Sequence, residues 1–449
     1  MTVDAGALLF KHDTPLVPTK RIQEEIQAKG IVAAYNLLNY DAVGISSYDL
    51  AGGLPFFKKI VAQADFPWLS ADIVAKSTRQ PLFTPHIIIT KQDMKIGIIA
   101  LTGSKAMKTL NSTEAEIVDW RKILPGMVTE LESRTDLLIL LSSLSLEENR
   151  EISRKMPAIN LLIQAGVRTS NMNPVLQNKT LFCQTAKQGK YLGELKIKWD
   201  KKHSWHHDVK VKLLSQKRTL DRINWQLKRL EAKGDPAEVD KQKPGTLQKY
   251  NSLLKKQQEL ARKIKEMSEK AAGQAQKSTW KNQFIAMKVS QADQPEILKI
   301  VNETKQKVNE AGKQQARGIK MMNSYAGSPA CAKCHSEQYA RWKTSRHGRA
   351  FNTLVKKKQQ YNLNCLYCHV TGIKQDNAVI ALSLNKNLHN VGCESCHGPG
   401  KKHLTDPQKR KITPSPSAKI CLACHHDEHD DSFVFAEAVK RLRCRSEAR

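Results

Sequence analysis

The last third of this chain repeats the pattern Cys-x-x-Cys-His four times. The copies are Cys331-Ala-Lys-Cys334-His335, Cys365-Leu-Tyr-Cys368-His369, Cys393-Glu-Ser-Cys396-His397 and Cys421-Leu-Ala-Cys424-His425. Two thiols at this spacing with an imidazole directly after them read as a c-type haem attachment site. The thiols add across the porphyrin vinyl groups, and the adjacent His reaches the iron from one face. Zinc ribbons also use Cys-x-x-Cys pairs, but they have no need of His after the second Cys. At a His frequency of roughly 3%, four such coincidences have odds of about one in a million. The motifs therefore predict four haem c groups, with the eight cysteines as attachment points and His335, His369, His397 and His425 as proximal iron ligands.

Ten Cys are present, and Cys183 and Cys444 remain outside the motifs. Cys183 lies in an apolar, strand-like run and reads as a buried free thiol. Haem c is attached on the oxidising, exported side of the bacterial membrane, so a periplasmic location is expected. Yet Met1-Thr-Val-Asp-Ala-Gly6 has neither a basic nor an apolar leader region. The expectation is that a signal peptide lies upstream of the recorded start. No apolar run approaches the ~20 residues of a transmembrane helix.

The formal charge is +30 over 449 residues. Haem propionates offset only part of it. Nucleic acid is the reflex partner for such a basic chain, but export and haem argue against it. An acidic redox protein, steered by charge, fits better.

Residues 1–212 alternate short apolar runs with stretches of helical composition. Strands are expected at Ile31–Ala34, His86–Thr90, Lys95–Ala100, Leu137–Leu141 and Ile159–Ile163, and helices at Glu114–Arg134 and Leu146–Lys155. That alternation predicts an α/β domain with a central sheet. Residues 213–275 change character. Leu220, Ile223, Leu227 and Leu230 recur at helical spacing, as do Leu253, Leu260, Ile264 and Met267, with a turn between. A helical hairpin of coiled-coil type follows, a spacer or a self-association arm. Residues 276–320 read as a linker, with Gly273–Asn282 polar, and then a helix from Gln294 to about Arg317. The haem domain occupies 321–449, where irregular loops and short helices are expected around the porphyrins.

Low-spin iron needs a second axial ligand, and the spare imidazoles here are His347, His389, His403, His426 and His429. His426 adjoins the proximal His425, which makes reaching another iron awkward. Four phrases then carry a specific resemblance: Tyr325-Ala-Gly-Ser before the first motif, Trp342-x-x-Ser-x-His347-x-x-Ala350, Cys368-His-Val-Thr-Gly372 and Val391-Gly-Cys-Glu-Ser-Cys-His-Gly-Pro-Gly-x-x-His403. From residue 324 to about 435 the chain resembles the cytochrome c-554 family of tetrahaem electron carriers. The resemblance implies three haems with two His ligands and one open, five-coordinate haem on the second motif, here His369. His347, His389 and His403 are the distal candidates, with His429, Met321 or Met322 as a closing ligand for the fourth iron. Bis-His ligation lowers reduction potential, so a low-potential electron relay is expected. An open iron would add a site for a small nitrogen or sulfur compound.

A second resemblance covers most of residues 1–200. Val3-Asp-Ala-Gly, Tyr40-Asp-Ala-Val, Ala64-Asp-Phe-Pro-Trp-Leu-Ser-Ala-Asp72, Met94–Thr102, Asp136–Ser142 and Gly189-Lys-Tyr-Leu-Gly-Glu-Leu195 resemble, in order, the metallophosphoesterase domain of periplasmic 5′-nucleotidases. The resemblance implies an α/β metallophosphatase-like sandwich. That family clamps a phosphate ester between two metals. Its Gly-Asn-His-Glu falls on Ser46-Ser47-Tyr48-Asp49, its Asp-Ala-Gly-Asp on Asp4-Ala-Gly-Ala7, its Leu-Ser-His on Leu141-Ser-Ser143 and its Gly-Gly-His-x-His on Gln164-Ala-Gly166-Val-Arg168. With those ligands gone, the implied expectation is a scaffold without phosphohydrolase activity. His203-Ser-Trp-His206-His207 reads as a solvated surface cluster.

Overall fold

The computed structural model describes residues 1–165, 170–186, 189–200, 205, 209–232, 234–242, 245–272, 278–288, 290–316, 324–372, 385–426, 429–430 and 433–442. Gly166–Arg168, His203, His206, His207, Met321, Met322 and Cys444 lie outside the described residues. The chain runs β1 (Val3–Asp4), α1 (Pro18–Leu37), β2 (Ala42–Gly44), α2 (Leu54–Val61), β3 (Trp68–Leu69), β4 (Ile73–Ala75), β5 (His86–Lys91), β6 (Met94–Leu101), α3 (Met107–Leu110) and β7 (Ala115–Ile117). It continues through α4 (Trp120–Glu132), β8 (Leu137–Ser142), α5 (Leu146–Lys155), β9 (Leu161–Gln164), β10 (Met172–Gln177), β11 (Thr180–Gln184) and β12 (Tyr191–Lys198). Then come α6 (Val209–Glu231), α7 (Pro236–Gln242), α8 (Thr246–Ala272), β13 (Thr279–Ala286) and α9 (Pro295–Ala316), followed by short helices. Two compact units result: residues 1–84, 102–118 and 290–449 in one, 85–101 and 119–289 in the other.

In the second unit a six-stranded sheet runs β10-β11-β9-β8-β6-β5. Its four inner strands pair in parallel, while β5 and β10 add antiparallel edges. All of Leu-Leu-Ile-Leu-Leu-Ser in β8 is buried, as expected for a central strand covered on both faces. Helix α5 opens on a reciprocal cap, Ser145 with Glu148, and carries acids in its first turn and bases in its last. Both features satisfy free backbone ends and oppose the helix dipole. Cys183 on β11 is a free thiol that burial pushes up to about 12.

Strands β12 and β13 form an antiparallel ribbon, Tyr191 opposite Ala286 through Lys198 opposite Thr279. The helical hairpin is therefore an insertion within a β-ribbon. This corrects the linker expected at Gly273–Asn282, whose last four residues are strand. Pairing partners some eighty positions apart leave no local signal. Trp205 bridges Trp199 and Trp280, with ring centres 4.9 and 5.5 Å apart, and its indole N–H donates to the Asn160 carbonyl beside the sheet. In the hairpin Ile223 and Leu227 are buried between α6 and α8, while Trp225 lies exposed beneath Arg229.

In the first unit a small parallel sheet, β1-β2-β3, packs with α1 and α2 around Phe57, which meets Trp68 and Phe83 edge-on. The strand expected at Ile31–Ala34 is wrong: these residues lie in the fourth and fifth turns of α1. Gln23, Ala28 and Val32 form its buried face, and their helical spacing overrides the short β-branched run. The helix expected from Glu114 is likewise shortened. Its first residues form β7, and Asp119 then caps α4 by accepting from the Arg121 N–H.

Helix α9 opens one residue after its expected start, its expected end at about Arg317 lying outside the described residues, and it crosses α1 closely. A side chain at Gly30 would collide with Thr304, its Cβ falling 2.2 Å from the hydroxyl oxygen. Beyond α9, the buried apolar core is small: Phe351, Leu354, Leu363, Leu366, Val370 and Leu388, joined by Ala316 of α9. Among the described residues no helix is long and apolar enough to cross a membrane.

Candidate functional site

The second Cys-x-x-Cys-His motif ends the helix Leu363–His369, whose first turn is capped by the Asn362 side chain accepting from the Asn364 N–H. The third forms the helix Cys393–His397, and the Cys393 N–H donates to Ser328 Oγ at 3.1 Å, at the start of the short helix that enters the first motif. The motifs come together in pairs. The thiols of Cys331 and Cys393 are near enough to shift each other's acidity, as are those of Cys368 and Cys424. The first motif thus adjoins the third, and the second adjoins the fourth.

The imidazoles are oriented from behind. His369 Nδ1 lies 2.7 Å from the Ala350 carbonyl, His397 Nδ1 2.6 Å from that of Thr413, and His425 Nδ1 2.8 Å from Asp430 Oδ2. Carbonyl and carboxylate oxygens only accept. Nδ1 therefore carries the proton in each ring, and the Nε2 lone pair is left for a metal, as iron ligation requires. His335 stands at the N-cap position of the helix Ser336–Thr344, with no capping bond from its side chain. Among the expected distal residues, His403 shares the anchored pattern, with Nδ1 2.9 Å from the Arg410 carbonyl. The His347 ring centre lies 6.0 Å from that of His425. His389 stacks on Phe351 at 3.7 Å, and His429 sits 5.0 Å from the neighbouring ring of His426. An open cleft of about 310 Å³, lined by Arg349, Asn352, Thr353, Val355 and Lys356, adjoins His369 through Thr353.

These residues fit haem. Tyr367, Ile420 and Leu422 stand exposed within or beside the motifs, offering apolar surface to porphyrin planes where protein core is scarce. The donor set is thiol plus neutral imidazole with a fixed tautomer, which is the haem c requirement.

Glu394, inside the third motif, is a residue whose role the sequence did not show. It is 4% exposed. Its carboxylate accepts from the N–H groups of Ala326, Gly327 and Gly400 at 2.6–2.9 Å, so one side chain joins the entrance of the haem segment to the exit of the third motif. Gly327 has φ +86°, and a Cβ there would meet the Asn387 carbonyl at 2.7 Å. Trp342 adds a bond from its indole N–H to the Val391 carbonyl, 2.8 Å.

In the N-terminal part, Asp49 and Asp4 are held by hydrogen bonds from within the protein. Asp49 is fully buried and accepts five bonds: from the N–H groups of Ala7, Leu8, Leu9 and Ser46 and from Ser46 Oγ, at 2.7–3.0 Å. Burial pushes its carboxyl up, and these donors pull it back. Asp4 accepts from the Gly6 N–H and the Tyr35 hydroxyl. Ser143 lies against the Leu101 carbonyl. Among the described residues no group of three or more His, Cys, Asp or Glu is placed to hold a metal ion.

Comparison with known proteins divides along the same line. Residues 330–398 match the family described as cytochrome c554 and c-prime, a span that takes in the first three motifs and stops before the fourth. Cytochrome c-554 of Nitrosomonas europaea is 36% identical over 100 residues, 19% of this chain and 43% of that protein. Protein UshA of Escherichia coli is 26% identical over 192 residues, 35% of each chain. The 5′-nucleotidase of Vibrio cholerae is 26% identical over 212 residues, 39% of this chain and 38% of that one. This chain therefore spans less than half the length of each of these relatives. The solved calcineurin-like phosphoesterase YfkN of Bacillus subtilis superposes on 46% of this chain and 74% of its own, with a TM-score of 0.38 and 21% identity. The C-terminal segment carries the cytochrome c554 pattern, and the N-terminal part is homologous to the 5′-nucleotidases.

Proposed function

We propose that this chain is a periplasmic c-type cytochrome that relays single electrons through four covalently held haems, on a metallophosphatase-like sandwich that has lost its hydrolase activity. The observation that carries this reading is the set of four Cys-x-x-Cys-His motifs, three of whose imidazoles have Nδ1 tied to an oxygen. Cys331, Cys334, Cys365, Cys368, Cys393, Cys396, Cys421 and Cys424 hold the porphyrins, and the following His of each motif is the proximal ligand. A metal bonded at about 2 Å to one nitrogen of each of two imidazoles separates the ring centres by roughly 6 Å. The 6.0 Å spacing of His347 and His425 is compatible with that value, which supports His347 as a distal ligand that would serve the fourth motif. His403 is a second distal ligand by its anchored Nδ1, and His389 and His429 complete the candidates. When bound, the haems supply the one-electron couple; the chain fixes their spacing and potentials.

The +30 charge supports an acidic redox partner, drawn in by electrostatic steering. The hairpin, with Trp225 exposed on α6, is a candidate self-association arm. A second reading, a redox enzyme acting on a small nitrogen or sulfur compound, is supported by the cleft beside His369.

Visible and low-temperature EPR spectra of periplasmically matured protein, with and without NO, test both. Three low-spin ferric signals are expected. A fourth, high-spin signal that shifts with NO favours the enzyme reading, and a fourth low-spin signal favours the pure relay. An absence of low-spin ferric haem would overturn the proposal.

Two further outcomes are expected. The Asp430 carboxylate makes the His425 ring a stronger electron donor to its iron, so Asp430→Asn raises one of the four midpoint potentials in a spectroelectrochemical titration. With added Mn²⁺ or Zn²⁺, a nucleoside monophosphate releases no phosphate above the no-protein control. Release that depends on Asp4 or Asp49 would contradict the scaffold role.

A further inference from the structure

Three of the four motifs meet at one buried point. Gly392, directly before Cys393, packs against two hydroxyl groups: a Cβ in its place would lie 2.2 Å from Ser328 Oγ and 2.7 Å from Thr371 Oγ1. Ser328 opens the short helix that ends at Cys331, and Thr371 follows His369 by two positions. One hydroxyl therefore comes from the entrance to the first motif and the other from the exit of the second. Both close on the entrance to the third. Ser328 is 2% exposed and Thr371 1%.

The hydrogen bonds follow the same lines. Ser328 Oγ accepts from the Cys393 N–H at 3.1 Å. The Thr371 hydroxyl donates to the Asn390 carbonyl (2.9 Å) and accepts from the Gly392 N–H (2.9 Å) and the Ser395 hydroxyl (3.3 Å). One donor and two acceptors are all that a hydroxyl offers, so Thr371 is fully used. Its backbone N–H donates to the Leu388 carbonyl at 2.9 Å, and Val370 before it bridges to His389. Asn390 is held in turn, its Oδ1 accepting from the Phe351 N–H at 2.9 Å. The apolar core of this segment is small, so directional bonds take over the work of holding one attachment site against the next.

We propose that Ser328 and Thr371 are positioning residues for the relay: meeting at Gly392, they fix the first and second haem sites against the third. The proposal deepens the electron-relay reading and rests on it. Electron exchange between haems falls steeply as the gap between them widens, and the Coulomb interaction between charged neighbours depends on the same gap. The hydroxyl node holds that gap without contributing a redox-active or iron-ligating group.

The test uses the full-length, haem-loaded chain with Thr371→Val, Thr371→Ser and Ser328→Ala. Haem per protein is counted first. EPR of the oxidised chain then reads magnetic coupling between haems, and flash photolysis with an external photoreductant reads electron exchange among them. Thr371→Val keeps the shape of threonine and removes its hydroxyl. Several-fold slower exchange and altered coupling between the second and third haems are expected, with Thr371→Ser restoring both. Ser328→Ala alters the first and third instead, so the two variants change different pairs of signals. Unchanged exchange and coupling in both variants, with four haems attached and only thermal stability lowered, would overturn the proposal while leaving the cytochrome reading intact. Should Thr371→Val take up fewer than four haems, Ser328→Ala, which strands a single N–H group, decides by the same measurements. A haem count below four in the unmutated chain would instead remove the relay reading on which the proposal rests.

Discussion

Replacing Cys365 and Cys368 together by serine lowers covalent haem from four per chain to three and destabilises the C-terminal segment. A hydroxyl does not replace the thiol in the addition to a vinyl group, so the second site loses both of its bonds at once. The structural consequence should exceed the loss of one chromophore. Cys365 packs against the small cluster of Leu363, Leu366 and Val370, and a planar haem is the largest apolar body available to it. Removing a ligand that binds only the folded state withdraws its share of stability. Haem per protein by pyridine haemochromogen, with limited proteolysis of residues 324–442, reads both effects. Cys183→Ser is the control, since its thiol lies on β11 in the other unit, and it should keep four haems.

Asp49→Asn should be the most damaging single substitution in the N-terminal part. The carboxylate collects five donors from two loops, and an amide turns one acceptor oxygen into a donor that faces other donors. Leaving buried N–H groups unpaired costs about 1–3 kcal/mol each, so a loss of roughly 2–4 kcal/mol is expected even after relaxation. For a body of this size that lowers the unfolding midpoint by several degrees. Calorimetry on the haem-loaded chain measures it, with the haem spectrum as an internal reference. A midpoint unchanged within a degree would mean that Asp49 is not the staple of the two loops.

The sequence made some of this readable and hid the rest, for identifiable reasons. The inner strands β6 and β8 were visible because a strand buried on both faces is an unbroken apolar run. Helices α5 and α9 were visible through periodicity and, for α5, its capping pair. Ile31–Ala34 misled because a short β-branched run within an amphipathic helix looks like a strand when read alone. The β12–β13 ribbon was hidden because its halves flank a hairpin of some eighty residues. The same division holds for the site. Attachment cysteines and proximal His residues follow one another along the chain, so their chemistry is legible locally. The contact of His347 with His425, the clamp of Glu394 and the hydrogen bond from the Leu363 N–H to Gln23 Oε1 join positions far apart in sequence. Nothing at Gln23 marks it off from the other polar residues of α1.

The most direct test of the central claim is the intact mass of the periplasmically matured chain, taken together with its pyridine haemochromogen spectrum. The account predicts four covalent haem additions per polypeptide and the spectrum of a porphyrin saturated at both vinyl positions. A chain with free thiols in these motifs, or one that carries zinc in place of haem, would contradict it.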